Sequence, residues 1–325
     1  MRIFHDIENA SLQRPTVLTL GVFDGLHLGH QAIMKKTVER AKSLSLVSTA
    51  ITFDPHPRSI LHPDAAPPLL QTLDQRLANF EFLGIQQAIV IRFDKEFAST
   101  QAEDFIREVI VSRLHAREVY IGKDFAFGSG RKGNIELLKT LGNELGFNAE
   151  AIGDVMLRGR RVSSSEIRKL LSDGKVNIVR AMLGRPYGIE GVIVQGSNRG
   201  HQLGFPTANL HPHNRVIPKF GVYVTTTLID GRWYNSITNV GIRPTFETDS
   251  EPSIETFIFD FDGNLYGDVI RVRFLHRIRN EKRFENIEQL KQQIQRDVKA
   301  AVDFFKRKPV KKLMDSLQPR VRWAV

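Results

Sequence analysis

The hydrophobic residues in the first half of the chain alternate between two patterns. Apolar and β-branched runs predict buried strands at residues 17–23, 46–53, 87–93, 118–121 and 149–156. Between them, apolar residues at helical spacing predict helices at residues 31–44, 74–83, 101–114 and 135–145. Strands that alternate with helices are typical of parallel sheets with right-handed crossovers. We therefore predict an α/β first half with a doubly wound parallel sheet.

The pattern changes near residue 185. Strand-like runs separated by Gly, Asn and Asp turns occur at residues 189–195, 221–229, 233–240, 254–261 and 269–278. One long amphipathic helix is predicted to follow at residues 287–305. This order predicts a small antiparallel β-barrel with a covering helix. We expect domains at residues 1–185 and 186–305, with a basic tail at residues 306–325.

Composition narrows the classes of protein. The chain has 325 residues, 41% of them hydrophobic and 25% charged, as in globular proteins, and its net charge is +10. That charge favours anionic partners such as nucleotides, nucleic acid or a membrane surface, without choosing among them. The absence of cysteine excludes disulfides and thiolate chemistry. No apolar run approaches the roughly 18 residues of a membrane span, so we expect a cytoplasmic protein.

Residues 21–30, which read GVFDGLHLGH, join the first predicted strand to the first helix. Asp24 and Gly25 break the strand, and the first helical turn then offers backbone N–H groups and a positive dipole to phosphate. His27 and His30 are three residues apart and are expected to face the same side of that turn, where they can donate to phosphate oxygens. Local capping by both imidazoles is the structural alternative.

Three further loops follow predicted strands or open a helix. Residues 54–58, DPHPR, predict a rigid extended loop at the end of a strand, where open α/β sheets bind ligands. Residues 122–134, GKDFAFGSGRKGN, combine glycines with two phenylalanines that can stack on a planar ring and with cations. Residues 162–168, VSSSEIR, predict a capped helix start that also offers hydroxyl groups. A purely structural role is the alternative for each loop.

The second half contains a glycine-rich loop and one chemically suitable carboxylate. Residues 196–209, GSNRGHQLGFPTAN, predict a loop whose amides could wrap a diphosphate and that ends in a rigid Pro-Thr-Ala-Asn turn. The hydroxyl of Thr207 suits Mg²⁺, which prefers oxygen ligands. Glu255 lies in an alternating strand and could deprotonate an alcohol beside a metal-bound phosphate. An Asx turn and an outward-facing strand glutamate are the respective alternatives.

These motifs resemble two known families. The motif at residues 21–30 resembles the HxGH signature of the Rossmann-like nucleotidyltransferase superfamily, which moves AMP from ATP without a protein nucleophile. Residues 122–128 and 162–168 resemble the adenylylating module of bacterial FAD synthetases, with Ser165 where threonine is usual. Residues 196–209, 239–245 and 255–261 resemble riboflavin kinase, a six-stranded barrel. The chain is similar, over residues 1–305, to bacterial bifunctional riboflavin kinases and FMN adenylyltransferases.

The resemblance implies roles for individual residues. His27 and His30 are implied to stabilise charge on the ATP phosphates, and Glu255 to take the proton from the 5′-hydroxyl of riboflavin. Phe125 and Phe127 are implied to lie near flavin. The other implied adenylyltransferase residues, which bind ATP, are Gly21, Phe23, Asp24, Gly25, Gly29, His56, Arg58, Asp124, Arg131, Ser163, Ser164, Ser165 and Arg168. The implied kinase phosphate-binding residues are Gly196, Gly200, Gly204, Pro206, Thr207 and Asn209, the last two also holding Mg²⁺.

The implied activity is a two-step synthesis. Riboflavin and ATP would give FMN and ADP in the barrel, and FMN and ATP would give FAD and pyrophosphate in the sheet domain. Mg²⁺ is expected to serve both steps, and no membrane partner is expected. Two alternatives stay open: that only one half is active, and that the chain is a nucleic-acid-binding or regulatory protein that acts through the basic tail at residues 306–325.

Overall fold

The computed structural model describes residues 1–7, 14–196, 204–242, 252–307 and Val310. Its chain divides into two compact units, Met1–Ser164 and Ser165–Val325. The predicted domain boundary at residue 185 lies inside the second unit. The division by packing therefore comes earlier in the chain than the change in hydrophobic pattern.

Six strands form the sheet of the first unit, in the order β1-β4-β3-β2-β5-β6, and every neighbouring pair is parallel. The predicted doubly wound α/β fold is confirmed. Edge strand β1 was not predicted, because it is short and mostly exposed. The strands are β1 (Arg2–His5), β2 (Thr16–Leu20), β3 (Val47–Asp54), β4 (Gln87–Arg92), β5 (Ala116–Gly122) and β6 (Asn148–Ile152).

Helices connect these strands, and one predicted strand needs correction. The helices are α1 (Leu28–Ser43), α2 (Pro57–Leu61), α3 (Leu73–Phe82), α4 (Lys95–Ser99), α5 (Ala102–Asp104) and α6 (Ile135–Leu145). The helix predicted at residues 101–114 is present, and after α5 it continues as a π-helix, Phe105–Arg113. Its buried residues at 105, 106, 109 and 110 suit either winding, so their spacing could not separate the two. The predicted strand at 149–156 ends at Ile152, and a hairpin of β7 (Met156–Leu157) and β8 (Arg160–Arg161) follows.

The order of the strands reverses between β2 and β5. From β2 the sheet continues to β3 and β4 on one side, and to β5 and β6 on the other. Ligands of doubly wound sheets bind at this reversal, outside the carboxyl ends of the strands. The segments that leave β2 and β5 at that edge are residues 21–27 and 123–134, the two loops with the chemistry predicted for nucleotide and flavin.

An ion pair fastens α1 to the sheet. The Arg40 guanidinium donates from Nε to Oε2 of Glu118 (2.9 Å), and the Tyr120 hydroxyl donates to the same oxygen (2.8 Å). The hydrogen bond from Arg40 lowers the pKa of Glu118, whereas burial raises the pKa of Tyr120 to about 12. The C-terminal half of α1 is thereby fixed on β5, while its N-terminus carries the two motif histidines.

The second unit contains a closed antiparallel barrel in the order β10-β13-β12-β11-β14-β9, with β9 paired to β10. The predicted six-stranded barrel is confirmed. The predicted Pro-Thr-Ala-Asn turn is wrong, because Thr207 is the first residue of β10. The strands are β9 (Tyr187–Val194), β10 (Thr207–Pro212), β11 (Gly221–Ile229), β12 (Arg232–Ile242), β13 (Pro252–Ile258) and β14 (Val269–Arg279). The helices described in this part of the chain are α7 (Ser164–Ser172), α8 (Val176–Leu183) and α9 (Ile287–Lys306).

The two faces of the barrel wall carry different chemistry. On the outer face Val222, Val224 and Ile237 pack against Ala301 and Phe304 of α9. The residues that alternate with them point inward and join their hydroxyl groups in a chain with oxygen–oxygen distances of 2.8–2.9 Å. Its members are Thr225, Thr227, Ser236, Thr238 and Thr256. The interior of the barrel is therefore filled by hydrogen-bonded threonines as well as by apolar side chains.

Two adjacent threonines give a matched test of this chain. Thr225 bonds to both Ser236 and Thr238, whereas Thr226 Oγ1 has no hydrogen-bond partner among the described residues, although both side chains are at most 1% exposed. We expect Thr225→Val to lower the free energy of unfolding by about 1–2 kcal/mol and Thr226→Val to leave it unchanged or raise it. Urea unfolding followed by tryptophan fluorescence measures this, because Trp233 lies on β12 and the chain's other tryptophan, Trp323, also comes after residue 164 in the sequence. Equal losses in the two variants would contradict the prediction.

Candidate active sites

The turn between β2 and α1 brings the two motif histidines together. His27 caps α1, and its Nδ1 accepts a hydrogen bond from the backbone N–H of His30 (3.3 Å). The two imidazole rings stack with centroids 3.7 Å apart. Since Nδ1 of His27 accepts, the proton of its neutral ring lies on Nε2, which can then donate. Capping and phosphate binding are therefore compatible at this position.

Other residues of the motif support the turn itself. Phe23 is only 2% exposed, and its ring packs edge-to-face against His30 (5.3 Å) and Phe80 (5.6 Å). The Asp24 carboxylate accepts backbone hydrogen bonds from Leu70 (2.9 Å) and Gln71 (3.3 Å). The side chains of Phe23 and Asp24 are thus occupied within the protein. Their predicted part in binding ATP stays a prediction, and only their backbone is suited to it.

Three glycines of this turn lie where a side chain would crowd its neighbours. Gly25 has φ +80°, and a Cβ there would lie 2.6 Å from Leu70. At Gly29 a Cβ would lie 3.1 Å from the His27 ring, and at Gly21 it would lie 3.0 Å from the Phe23 ring. These glycines let the backbone of the turn approach its neighbours closely.

The segment after β3 differs from the predicted extended loop. Residues Pro57–Leu61 form the short helix α2, and His56 caps it by accepting from the N–H of Arg58 (3.0 Å). Proline is well tolerated at the first position of a helix, so Pro57 begins the helix and does not extend the loop. The predicted rigid extended loop is therefore wrong. Arg58 is exposed, and its predicted contact with phosphate stays a prediction.

The loop after β5 offers one phenylalanine ring and buries the other. Phe127 is 9% exposed, packs on Phe105 (5.7 Å) and leaves no room for a side chain at Gly133. The half-buried Phe125 stacks on Phe127, with ring centroids 6.0 Å apart. Phe125 is consequently the ring that a planar ligand could meet, and Phe127 supports it from the core. Arg131 is exposed in the short turn that closes the loop.

An ion-pair network next to this loop includes an arginine that the sequence analysis missed. Arg161 pairs with Asp124 and with Asp154 (2.9 Å), and Lys123 also pairs with Asp154 (2.7 Å). The hydrogen bond from Lys123 lowers the pKa of Asp154. The predicted nucleotide ligand Asp124 is thus paired with a cation. The sequence signal that could have identified Arg161 was the position of Arg160 and Arg161 directly before the serine motif at residues 162–168.

The serine motif opens helix α7, as predicted. Ser164 begins the helix, and its hydroxyl donates to the backbone carbonyl of Asp24 (2.8 Å). The histidine turn and the first serines are therefore joined by a direct hydrogen bond. Ser163 lies one residue earlier, and Ser165 and Arg168 lie further along α7.

A row of polar residues crosses three neighbouring strands of the barrel. Asn209 on β10 lies opposite Glu255 on β13, which in turn lies opposite Asn239 on β12. Glu255 alternates with the inward-facing Thr256, so this row is on the outer face of the wall. The Ser253 hydroxyl donates to Oε1 of Glu255 (3.1 Å). Asn239 was not among the predicted site residues, although its strand pairing with Glu255 places it in the row.

The glycine-rich loop approaches this row at one described residue. A Cβ on Gly196 would lie 2.1 Å from Nδ2 of Asn209, so the backbone of Gly196 is in direct contact with the Asn209 side-chain amide. Thr207 is two residues before Asn209 on the same face, and Pro206 is exposed just before β10. Gly204 has φ +82°. Gly200, another predicted residue, lies outside the described residues.

The chain thus combines a parallel sheet of the nucleotidyltransferase type, which carries an HxGH motif, with a closed six-stranded barrel. The FAD synthetase family matches residues 9–166, and the riboflavin kinase family matches residues 183–305. A bifunctional riboflavin kinase/FMN adenylyltransferase from Haemophilus influenzae is 36% identical over 307 residues, which cover 94% of this chain and 99% of that protein. One from Bacillus subtilis is 35% identical over 90% of this chain and 93% of its own. The chain belongs to the family of bifunctional riboflavin kinases and FMN adenylyltransferases.

A solved structure is similar over nearly the whole chain. A protein from Streptococcus pneumoniae, described as a macrolide-efflux protein, is 29% identical with a TM-score of 0.85, covering 93% of this chain and 99% of its own. The description as an efflux protein applies to that protein and is not carried over to this chain. Among the described residues here, no helix has the length and apolar character that a membrane crossing requires.

Proposed function

We propose that the chain makes FAD from riboflavin in two steps, with residues 186–305 as the kinase domain and residues 1–185 as the adenylyltransferase domain. Riboflavin and ATP give FMN and ADP, and FMN and a second ATP give FAD and pyrophosphate. The observation that carries this proposal is that each fold presents its own cluster of chemically suitable groups: the stacked histidines at the switch point of the sheet and the Asn209–Glu255 row on the barrel.

Adenylyl transfer needs position and charge stabilisation, and no protein nucleophile. A phosphate oxygen of FMN attacks the α-phosphorus of ATP, and the bond from that phosphorus to pyrophosphate breaks. The N-terminus of α1 and the Nε2 proton of His27 stabilise the negative charge that develops on the leaving phosphates. The ring of His30 stacks on the ring of His27. Most of the rate acceleration then comes from fixed geometry and fixed dipoles.

The remaining predicted residues of this site are assigned by chemistry. Phe125 stacks on the isoalloxazine ring, with Phe127 behind it. Ser165 supplies the hydroxyl that threonine supplies elsewhere in the family. Phosphate contacts are proposed for the imidazole of His56, the guanidinium groups of Arg58, Arg131 and Arg168, and the hydroxyl groups of Ser163 and Ser165. For Ser164, whose hydroxyl donates to Asp24, the proposed contact is through its backbone N–H.

Phosphoryl transfer in the barrel requires a base and oxygen ligands close together. Glu255 takes the proton of the riboflavin 5′-hydroxyl while that oxygen attacks the γ-phosphorus of the kinase's ATP, which releases ADP. The hydrogen bond from Ser253 fixes one carboxylate oxygen of Glu255. Asn209 and Thr207 lie along β10 beside it.

The donor set of this row suits Mg²⁺. Thr207 and Asn209 offer neutral oxygens, and the described part of the chain has no group of three or more His, Asp or Glu side chains that could hold a metal by themselves. Magnesium often takes only one or two protein ligands and shares the rest with substrate phosphates and water. When bound, Mg²⁺ neutralises phosphate charge in both reactions. We also propose a cytoplasmic location, in keeping with the absence of cysteine.

Two substitutions should separate the activities. In a chromatographic time course with riboflavin, ATP and Mg²⁺, the natural protein should produce FMN that is then consumed into FAD. His30→Ala should stop FAD formation and leave FMN formation intact, whereas Glu255→Ala should stop FMN formation and still convert supplied FMN into FAD. The substitutions His62→Ala and Glu285→Ala, at exposed residues, serve as controls and should leave both activities unchanged. Loss of both activities in either folded active-site variant would refute the division of labour.

Gly196 offers a test of the kinase geometry. A methyl group at this position would displace the Asn209 amide, so Gly196→Ala should lower the kcat of FMN formation by about 10- to 100-fold. FAD formation from supplied FMN should not change. Gly153→Ala is the matched control, because a Cβ there meets nothing within 4 Å. Normal FMN formation by folded Gly196→Ala protein would argue against a role for Asn209.

Thr207 offers a test of the metal assignment. Thr207→Val keeps the shape of the side chain and removes its oxygen, so the Mg²⁺ concentration for half-maximal FMN formation should rise by about tenfold. The Mg²⁺ dependence of FAD formation in the same protein provides the reference and should stay the same. An unchanged Mg²⁺ dependence of FMN formation would remove Thr207 from the metal site.

A further inference from the structure

A buried arginine lies behind the histidine turn. Arg76 on α3 is 2% exposed, and its Nη1 donates to the carbonyls of Val22 (2.8 Å) and Phe53 (3.1 Å). The same atom donates to Thr52 Oγ1 (2.9 Å), and that hydroxyl itself donates to Val22 (3.1 Å). One guanidinium therefore joins the carbonyl that begins the histidine turn to the end of β3.

The turn that Arg76 holds has an unusual backbone. Phe23 has φ +53° and Leu26 has φ +41°, although neither is glycine, and Gly25 between them has φ +80°. Left-handed conformations of bulky residues persist only where surrounding contacts impose them. The hydrogen bonds to Val22, directly before Phe23, are such contacts.

Helix α3 contacts the turn at a second point, through Phe80. Phe80, one helical turn after Arg76, packs edge-to-face on the Phe23 ring, and the Phe23 ring packs on His30. The guanidinium fixes the backbone before Phe23, and Phe80 fixes its ring. A continuous series of contacts thus runs from α3 to one of the stacked histidines.

The positive charge of Arg76 lies near two carboxylates. Burial lowers the pKa of Arg76, and the carboxylates of Asp54 and Asp24 oppose that change. Asp54 lies 3.6 Å from the guanidinium. Arginine keeps its proton in proteins, so a fixed positive charge lies below the turn.

We propose that Arg76 is a positioning residue for adenylyl transfer, which holds the turn of residues 22–26 in the conformation that presents His27 and His30 to the ATP phosphates. The proposal rests on the proposed function of the first unit. It gives Arg76 no contact with substrate.

The test uses the full chain with three variants and one control. Arg76→Met removes the charge and all donors, Arg76→Lys keeps the charge but not the planar fork, and Thr52→Val removes one acceptor of the network while leaving Arg76 in place. Arg107→Met is the control, since Arg107 forms an exposed ion pair with Glu144 in the same unit. Circular dichroism and thermal unfolding show which variants are folded at the assay temperature.

The kinetic expectation is a fall in kcat with little change in KM. A displacement of the histidines by about 1 Å should lower the kcat of FAD formation by roughly 100-fold in Arg76→Met, with the KM for ATP within about threefold. Arg76→Lys and Thr52→Val should lie between this variant and the natural protein. FMN formation, measured on the same samples, should not change, and Arg107→Met should match the natural protein in both activities.

A second readout does not depend on turnover. The stacked rings of His27 and His30 should give Hε1 NMR signals with ring-current shifts, which His27→Gln and His30→Gln assign among the ten histidines. These two signals should move in Arg76→Met and stay in Arg107→Met. Unmoved signals or a normal kcat in folded Arg76→Met would overturn the proposal.

Two remaining outcomes are also decisive. If Arg76→Met does not fold, the Thr52→Val variant decides. Unmoved histidine signals together with an unchanged kcat in Thr52→Val would overturn the proposal, because Arg76 would then stabilise the fold without positioning the histidines. If the natural protein forms no FAD while the histidine signals still move in Arg76→Met, the proposed function fails and the positioning of the histidines by Arg76 stands.

Discussion

The candidate site of the first unit depends on the backbone N–H groups in the first turn of α1, which have no partner within the helix itself. One of these donors, the N–H of His30, bonds to Nδ1 of the cap residue His27, and this bond also fixes the His27 ring. A parallel sheet places this helix start at the carboxyl edge, and the reversal of strand order opens a crevice there. The topology therefore favours anion binding at this edge, where the surrounding loops add rings, hydroxyl groups and cations.

The barrel obeys a different constraint, the two-residue period of a strand. Thr256 joins the hydroxyl chain inside the barrel, and its neighbour Glu255 lies outside beside Asn209 and Asn239. A register slip of one residue would exchange the two faces and destroy both the core and the row. The buried hydroxyl chain and the candidate base are thus fixed by the same strand pairing.

Some motif residues in this protein hold the backbone of the motif in place. Asp24 and Phe23 match the nucleotidyltransferase pattern, yet their side chains bond to residues 70–71 and pack on Phe80. Arg76, which lies more than forty residues beyond the motif, contributes as directly to its shape. A short pattern therefore records the requirements of a backbone conformation as much as those of a substrate.

The sequence by itself determined the two fold classes, most elements and the family, because periodicity and local motifs are properties of neighbouring residues. It could not reveal the helix at Pro57 or the strand at Thr207, since proline suits a helix start as well as a loop and pairing depends on distant strands. Only the tertiary structure placed Asn239 beside Glu255, Arg161 beside Asp124 and Arg76 behind the histidine turn. Those contacts join residues far apart in the chain, which no local pattern encodes.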